Sequence, residues 1–117
     1  MSDNDNEVIE VGDLDAAQWN DYAIEQGWSD GLPLIMPTEA AVDRFVEVCR
    51  GDNEPFPPMT PRLVVPTLRG IAANAVMAGC RAEYMPVIVA AVRAVLQPNY
   101  NLHGSLATTH SCAPMVI

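Results

Sequence analysis

The groups best suited to chemistry gather in the C-terminal segment 101–112, which reads Asn-Leu-His-Gly-Ser-Leu-Ala-Thr-Thr-His-Ser-Cys. It contains both histidines of the chain, His103 and His110, together with Cys112. Imidazole exchanges protons near neutral pH and binds metals, and a thiolate is both a nucleophile and a metal ligand. The segment therefore predicts a site in which His110 is a general acid/base or a metal ligand.

Two kinds of site fit these residues, and a third interpretation is purely structural. His103, His110 and Cys112 offer the nitrogen and sulfur ligands of a transition-metal site. Alternatively, Cys112 beside His110 forms an activated nucleophile, because positions i and i+2 of a strand share one face. However, no CxxC or HxxxH pair strengthens the metal pattern, and many single cysteines are inert buried thiols. In either kind of site, Thr109 is expected to help hold the substrate.

Two further candidates precede this segment. Cys80 and Arg81 follow Gly79 between two predicted helices, where Cys80 is a candidate catalytic thiol and Arg81 a candidate anion-binding group. A helix connection with a surface Arg–Glu pair explains the same residues. Asn74 is the only polar side chain in the stretch 70–79, so it either ties that helix to a neighbouring loop or points into a substrate pocket.

The charge of the chain is concentrated at its N-terminus and argues against two classes of partner. Residues 1–30 carry nine acidic side chains and no Lys or Arg, whereas residues 31–117 carry six acids and six arginines, so the net charge of −9 lies in the first quarter. Nucleic acid and anionic membranes bind clustered Lys or Arg, so neither is an expected partner. The acidic start is instead suited to docking a basic protein.

The sequence also limits the compartment and the cofactors. The polar start does not resemble a signal peptide, and the longest apolar run, 86–96, is too short to span a bilayer. Three widely spaced cysteines predict reduced thiols in the cytoplasm. No Gly-rich phosphate-binding motif is present, so no nucleotide cofactor is expected, and a transition metal is the cofactor that the residues can support.

Caps and apolar stripes predict about four helices. Thr38 is the expected cap of the second helix, and Cys49 lies on the apolar face of that helix, which is expected to be buried. We expect the four helices over 13–27, 38–51, 70–79 and 86–97, and we expect short strands near 34–36, near 63–65 and within 106–117. The predicted fold class is therefore α/β or α+β. A single domain over 13–117 would follow a disordered acidic N-terminus over 1–12.

Two apolar features predict that a second chain completes this domain. Helix 86–97 is apolar all round except for Arg93, so it is expected to be central and covered on most sides. The sequence then ends in the apolar, β-prone tail 113–117, which would normally pair with another strand. We therefore expect a partner polypeptide over this surface, so that the domain is part of a larger composite domain.

Three stretches together resemble the N-terminal part of a poorly characterised bacterial family. They are 27–38, which begins Gly-Trp-Ser-Asp-Gly-Leu-Pro, 71–86, which contains Asn-Ala-Val-Met-Ala-Gly-Cys, and 101–114, which contains the His/Cys segment described above. Members of that family often occur beside a small thioredoxin-like protein with a cysteine or selenocysteine motif, and their chains run further than this one. The resemblance implies thiol-linked or metal-assisted chemistry, and a missing part that is supplied by gene splitting or cleavage.

These observations predict one subunit of a heteromeric cytoplasmic enzyme that acts on a small organic molecule by lyase or redox chemistry. The site would lie at the subunit interface and contain His103, His110, Cys112, Cys80 and Asn74. Two alternatives stay open. One is a non-catalytic scaffold or regulatory subunit that docks through its acidic N-terminus, and the other is a stand-alone metal-binding domain.

Overall fold

Four of the five α-helices in residues 8–117 begin where a side chain accepts a hydrogen bond from a free backbone N–H group. A computed structural model describes residues 8–117, and five α-helices lie within them. They are α1 (Ala16–Glu25), α2 (Glu39–Val48), α3 (Leu68–Met77), α4 (Met85–Val95) and α5 (Leu102–Ala107), with short 3-10 helices at Ala82–Tyr84 and Pro98–Tyr100. Helices α1 to α4 lie at the four predicted positions, whereas α5 was not predicted.

The caps explain these starting points. Asp15 accepts a 2.8 Å hydrogen bond from the backbone N–H of Gln18, and the Gln18 side chain accepts one from the Asp15 N–H, which forms a capping box. Thr38 caps α2, as predicted, and Thr67 caps α3 in the same way. Asn101 caps the short helix α5 from a left-handed conformation.

The predicted α/β or α+β class is wrong, because residues 8–117 form no sheet. Their only β pairing is an isolated antiparallel bridge between Met59 and Val64. The expected strand 63–65 lies between Pro61 and Pro66, which have no N–H to donate, and Leu63 has a positive φ of 57°. Residues 102–107 of the C-terminal segment are helical, and the segment that follows is irregular.

Segment 34–36 also forms no strand, because its backbone bonds to two helices instead. The N–H of Leu34 donates to the side chain of Asn20 in α1, and the N–H of Ile35 donates to the carbonyl of Met77 in α3. Pro33 and Pro37 flank the segment, so no longer extended ladder can form. The fold class of the described chain is therefore all-α.

Helices α2, α3 and α4 enclose the core. Their apolar stripes pack together with Phe56 from the proline-rich loop between α2 and α3, and Cys49 is buried among them as expected from its position. Met85 is fully buried at the start of α4. The buried members of this core are Val42, Phe45, Cys49, Phe56, Ala72, Ala75, Val76, Met85 and Val89.

Helix α4 is less enclosed by its own chain than its composition predicts. Met85 and Val89 are buried, but the opposite side is open, and Val87 keeps 66% of its surface exposed. Ala90 and Ala94 are exposed as well. The described residues alone therefore do not cover α4 on most sides. No helix among them is both long and apolar enough to cross a membrane.

Arg93, the polar exception on α4, fastens the loop after α2 to this helix. Its guanidinium makes two 2.8 Å hydrogen bonds to the Asp52 carboxylate and donates a third, of 2.6 Å, to the Glu54 carbonyl. The guanidinium carbon also lies 4.6 Å from the centre of the Phe56 ring. Such a bidentate, partly desolvated pair is far better placed to stabilise a fold than an exposed one.

The acidic segment 1–12, expected to be disordered, falls only partly within the described residues. Residues 1–7 of the expected disordered segment 1–12 lie outside the described residues. Residues 8–12 contain no helix or strand and run along α2 and α3, beside the groove described below.

Candidate functional site

His103, His110 and Cys112 of the C-terminal segment do not come together as a set of metal ligands. Across residues 8–117, no group of three His, Cys, Asp or Glu side chains could hold a metal ion. His103 lies on α5 at the edge of a proline-lined groove of about 470 Å³. His110 and Cys112 follow α5 in an irregular, exposed stretch, and Thr109 is also exposed.

The local geometry removes the basis for pairing His110 with Cys112 on a strand face. The N–H of Cys112 donates to the carbonyl of His110 at 2.8 Å, which closes a tight turn between them. The N–H of His110 in turn bonds to the Thr108 hydroxyl at 3.2 Å. Because no strand forms here, the alternation of faces that would align imidazole and thiol does not apply.

Cys80 and Arg81 lie in the connection between α3 and α4. Gly79 adopts the left-handed conformation, with φ at 76°, and the N–H of Cys80 returns to the carbonyl of Ala75. Cys80 packs partly buried against the core, whereas Arg81 is exposed and begins the first 3-10 helix. This is the geometry of a helix connection, and neither residue lines the groove of about 830 Å³ that is described below.

The three thiols differ sharply in their surroundings. Cys112 is exposed, Cys80 is half-buried and Cys49 is buried, and all three are free. Burial raises the pKa of the Cys49 thiol, and the nearby Asp52 carboxylate raises that pKa further. Cys49 is therefore the least reactive of the three thiols, in keeping with its place in the core.

A groove of about 830 Å³ is lined by parts of α2 and α3, and we call it the α2–α3 groove. Segment 8–13 and two tryptophans complete its lining, and we call the apolar part of that lining the floor. Its lining residues are Val8, Ile9, Glu10, Val11, Gly12, Asp13, Trp19, Trp28, Met36, Pro37, Thr38, Glu39, Val42, Arg69, Ala73, Asn74 and Met77.

An aromatic cluster contributes Trp19 and Trp28 to the lining, and we call this part the aromatic end of the groove. Trp19 of α1 is 4% exposed, and its ring lies 6.2 Å from those of Tyr22 and Trp28. Tyr22 and Trp28 meet edge to face at 5.8 Å, which is a favourable aromatic geometry. Trp28 remains 46% exposed, so part of its indole is available to a ligand in the groove.

Hydrogen bonds hold the loop that carries Trp28 in one place. The indole N–H of Trp19 donates to the Leu34 carbonyl at 3.0 Å, and Asn20 bonds to both the N–H and the carbonyl of Leu34. Ser29 donates its hydroxyl to the Leu32 carbonyl, and Asp30 accepts the Leu32 N–H. Asp30 is thus a turn-former, as is typical of the Asp in an Asp-Gly pair.

The polar groups of the groove come mainly from α3 and from the start of α2. Asn74 is exposed, and its amide N–H donates to the Gly70 carbonyl at 2.8 Å. Arg69 forms a 2.6 Å ion pair with Asp43 of α2, which ties the two helices together. Glu39 lies in the first turn of α2, beside its cap Thr38.

Two of the three stretches that carry the family resemblance meet at this groove. Segment 27–38 contributes Trp28 and segment 71–86 contributes Asn74, whereas segment 101–114 lies outside it. Of the predicted site residues, the groove therefore contains only Asn74. Glu39 was not among the predicted site residues, because no local pattern places the start of α2 beside α3. Arg69 was not among them either, because the predicted helix 70–79 begins one residue after it.

Residues 8–117 thus form a small all-helical domain that carries an open groove of about 830 Å³. No protein-family model, curated protein or solved structure matches this chain. An apolar floor with a few polar groups at its edge is the usual composition of a small-molecule site.

Proposed function

We propose that this chain is the ligand-binding subunit of a heteromeric enzyme that acts on a small organic molecule by lyase or redox chemistry. The observation that carries the proposal is the α2–α3 groove, where Trp28 and Asn74 from two separate motif segments face one space of about 830 Å³. That volume is within the range of small-molecule sites. The three free thiols support a reducing, cytoplasmic compartment.

The floor of the groove supports an organic ligand. Met36, Val42, Ala73 and Met77 present apolar surface, and methionine side chains adapt to irregular shapes. Hydrogen bonds from Trp19 and Asn20 hold the loop beside this floor, so a ligand meets a surface that is largely formed in advance.

The reacting groups are proposed to come from outside the groove. His110 and Cys112 are exposed, so both are free to enter a site that a second polypeptide completes. His103, Arg81 and Thr109 are exposed as well and remain candidates for that composite site, as does the half-buried Cys80. The resemblance to a family that occurs beside a thioredoxin-like protein supports thiol chemistry there.

Alanine variants of the purified assembly test this proposal. Asn74→Ala and Trp28→Ala should each lower kcat/KM by about tenfold while assembly persists, because each removes ligand contacts from the groove. Asn99→Ala, an exposed amide outside the groove, is the matched control and should change kcat/KM by less than about twofold. His110→Ala or Cys112→Ala should abolish turnover without dissociating the complex.

The scaffold alternative has one observation in its favour. Six acidic side chains of the N-terminal quarter are exposed, and none pairs with an arginine within residues 8–117: Glu10, Asp13, Asp15, Asp21, Glu25 and Asp30. If the chain is a scaffold, His110→Ala and Cys112→Ala will leave turnover unchanged. Asp21→Asn with Glu25→Gln, two neutralisations outside the groove, will then weaken partner binding.

A further inference from the structure

The charged groups that line the α2–α3 groove are unbalanced. Three carboxylates border it, Glu10 and Asp13 from segment 8–13 and Glu39 from the start of α2, and all three are exposed. The only cationic side chain in the lining is Arg69. With no lysine in the chain and a net charge of −9, the surrounding field is negative as well.

Arg69 does not offset these carboxylates, because it already has a partner. Its guanidinium lies 2.6 Å from the carboxylate of Asp43, so the two charges largely cancel at the distance of a ligand. The start of α2 adds a partial positive charge of about half a unit from the helix dipole. Glu39 in the first turn of that helix carries a full negative charge, so the start of α2 stays net negative.

The aromatic end of the groove favours a cation for a separate reason. Trp28 is 46% exposed and is held in place by Trp19 and Tyr22, so its indole is a fixed, accessible ring. The face of an indole attracts an ammonium or guanidinium group more strongly than any other aromatic side chain does. The apolar floor is then available for the uncharged body of the same ligand.

We propose that the ligand of the α2–α3 groove is a small organic cation, namely an apolar body that carries an ammonium or guanidinium group. This inference rests on the proposed function and specifies its substrate class. The cationic group binds between Trp28 and the carboxylates, and the body lies on the floor formed by Met36, Ala73 and Met77. An anionic substrate, in contrast, meets three carboxylates and no free arginine in the lining.

Three probes of nearly equal shape show whether the charge of a ligand or its shape determines binding in the groove. Benzylamine, benzyl alcohol and benzoate carry one positive, no and one negative charge at neutral pH, and each is titrated into the full chain by 1H–15N NMR. We expect benzylamine to shift the indole N–H of Trp28 and the amides of Ala73 and Asn74. Its affinity should exceed that of benzyl alcohol by about tenfold, and benzoate should bind weakest.

A matched pair of neutralising variants locates the charge effect. Glu39→Gln should weaken benzylamine binding by about threefold to tenfold. Glu25→Gln makes the same change in net charge outside the groove and should have an effect below about twofold. Equal losses in both variants would mean that the overall charge attracts the probe, and would overturn the inference.

The probes also distinguish this inference from the proposed function. If benzyl alcohol or benzoate shifts the groove resonances with equal or higher affinity, the groove binds small molecules but the cation class is wrong. If none of the three probes shifts Trp28, Ala73 or Asn74, the cation class and the groove itself are both refuted as the ligand site.

Discussion

Replacing Arg93, the cation that fastens the loop after α2, by methionine should lower the midpoint of thermal unfolding by roughly 5–10 °C. The variant keeps an unbranched apolar stem against α4 but loses the bidentate bond to Asp52, the bond to the Glu54 carbonyl and the contact with Phe56. Phe56 would then lose the group that holds it over the core. Calorimetry or circular dichroism of both proteins measures the difference.

Arg50 provides the matched control for this prediction. It pairs with Glu47 on the surface of the chain, and both side chains are largely exposed. Arg50→Met should therefore shift the midpoint by no more than about 2 °C. If Arg93→Met is as mild as Arg50→Met, the pair with Asp52 does not stabilise the fold.

Acid should remove the stability that the ion pair between Arg93 and Asp52 contributes to the fold. The hydrogen bonds from Arg93 lower the pKa of the Asp52 carboxyl below its usual range. A group whose pKa is lower in the folded state stabilises the protein above its unfolded pKa, about 4 for Asp, and loses that contribution as the pH falls through the folded value. The gap between the wild-type protein and Arg93→Met should thus narrow below about pH 4.

The second large effect is expected at Trp19, which attaches α1 to the rest of the molecule. Trp19 is nearly fully buried, contacts Tyr22 and Trp28, and donates its indole N–H to the Leu34 carbonyl. Trp19→Ala should cost about 3–5 kcal/mol of unfolding free energy, because it opens a cavity and frees the loop. Urea denaturation monitored by circular dichroism measures the loss.

Trp19→Phe separates the contribution of ring packing from that of the indole hydrogen bond. Phenylalanine keeps an aromatic ring beside Tyr22 and Trp28 but cannot donate to the Leu34 carbonyl, so the expected loss is smaller, about 1–2 kcal/mol. Both variants should also weaken ligand binding in the α2–α3 groove, because Trp28 depends on this contact. A loss in Trp19→Phe as large as that in Trp19→Ala would contradict the packing argument.

The helices could be predicted from local patterns, but the fold class could not. Asp15, Thr38 and the stripe Val42, Phe45, Val46 and Cys49 are read from neighbouring residues, and the helices begin and pack accordingly. The short apolar runs 34–36 and 63–65 are ambiguous, since β propensity reflects fit to a partner strand. In this chain the backbone N–H groups of Leu34 and Ile35 bond to α1 and α3. Prolines flank 63–65 and prevent a ladder there. Helix α5 has six residues, too few for a helical period to be visible.

The site was harder to predict because it is built by tertiary contacts. Asn74 stood out as a lone amide on an apolar helix, and it does line the groove. Glu39 could not be linked to it, since Glu39 lies on α2, 35 residues earlier, and comes near α3 only when the two helices pack together. Arg69 lies on α3 itself, one residue before the predicted start of that helix at residue 70. The cluster of His110 and Cys112 was inferred from nearness in sequence, which a turn does not convert into a shared face.

Native mass spectrometry of the protein from cells that naturally make it tests the central claim most directly. The account predicts a complex with a second, distinct polypeptide that carries a bound small molecule. Ala73→Trp, which fills the α2–α3 groove, should lose that mass and keep the partner, whereas the exposed Ala17→Trp should keep both. A single chain without any bound small molecule, or the same bound mass in Ala73→Trp, would contradict the account.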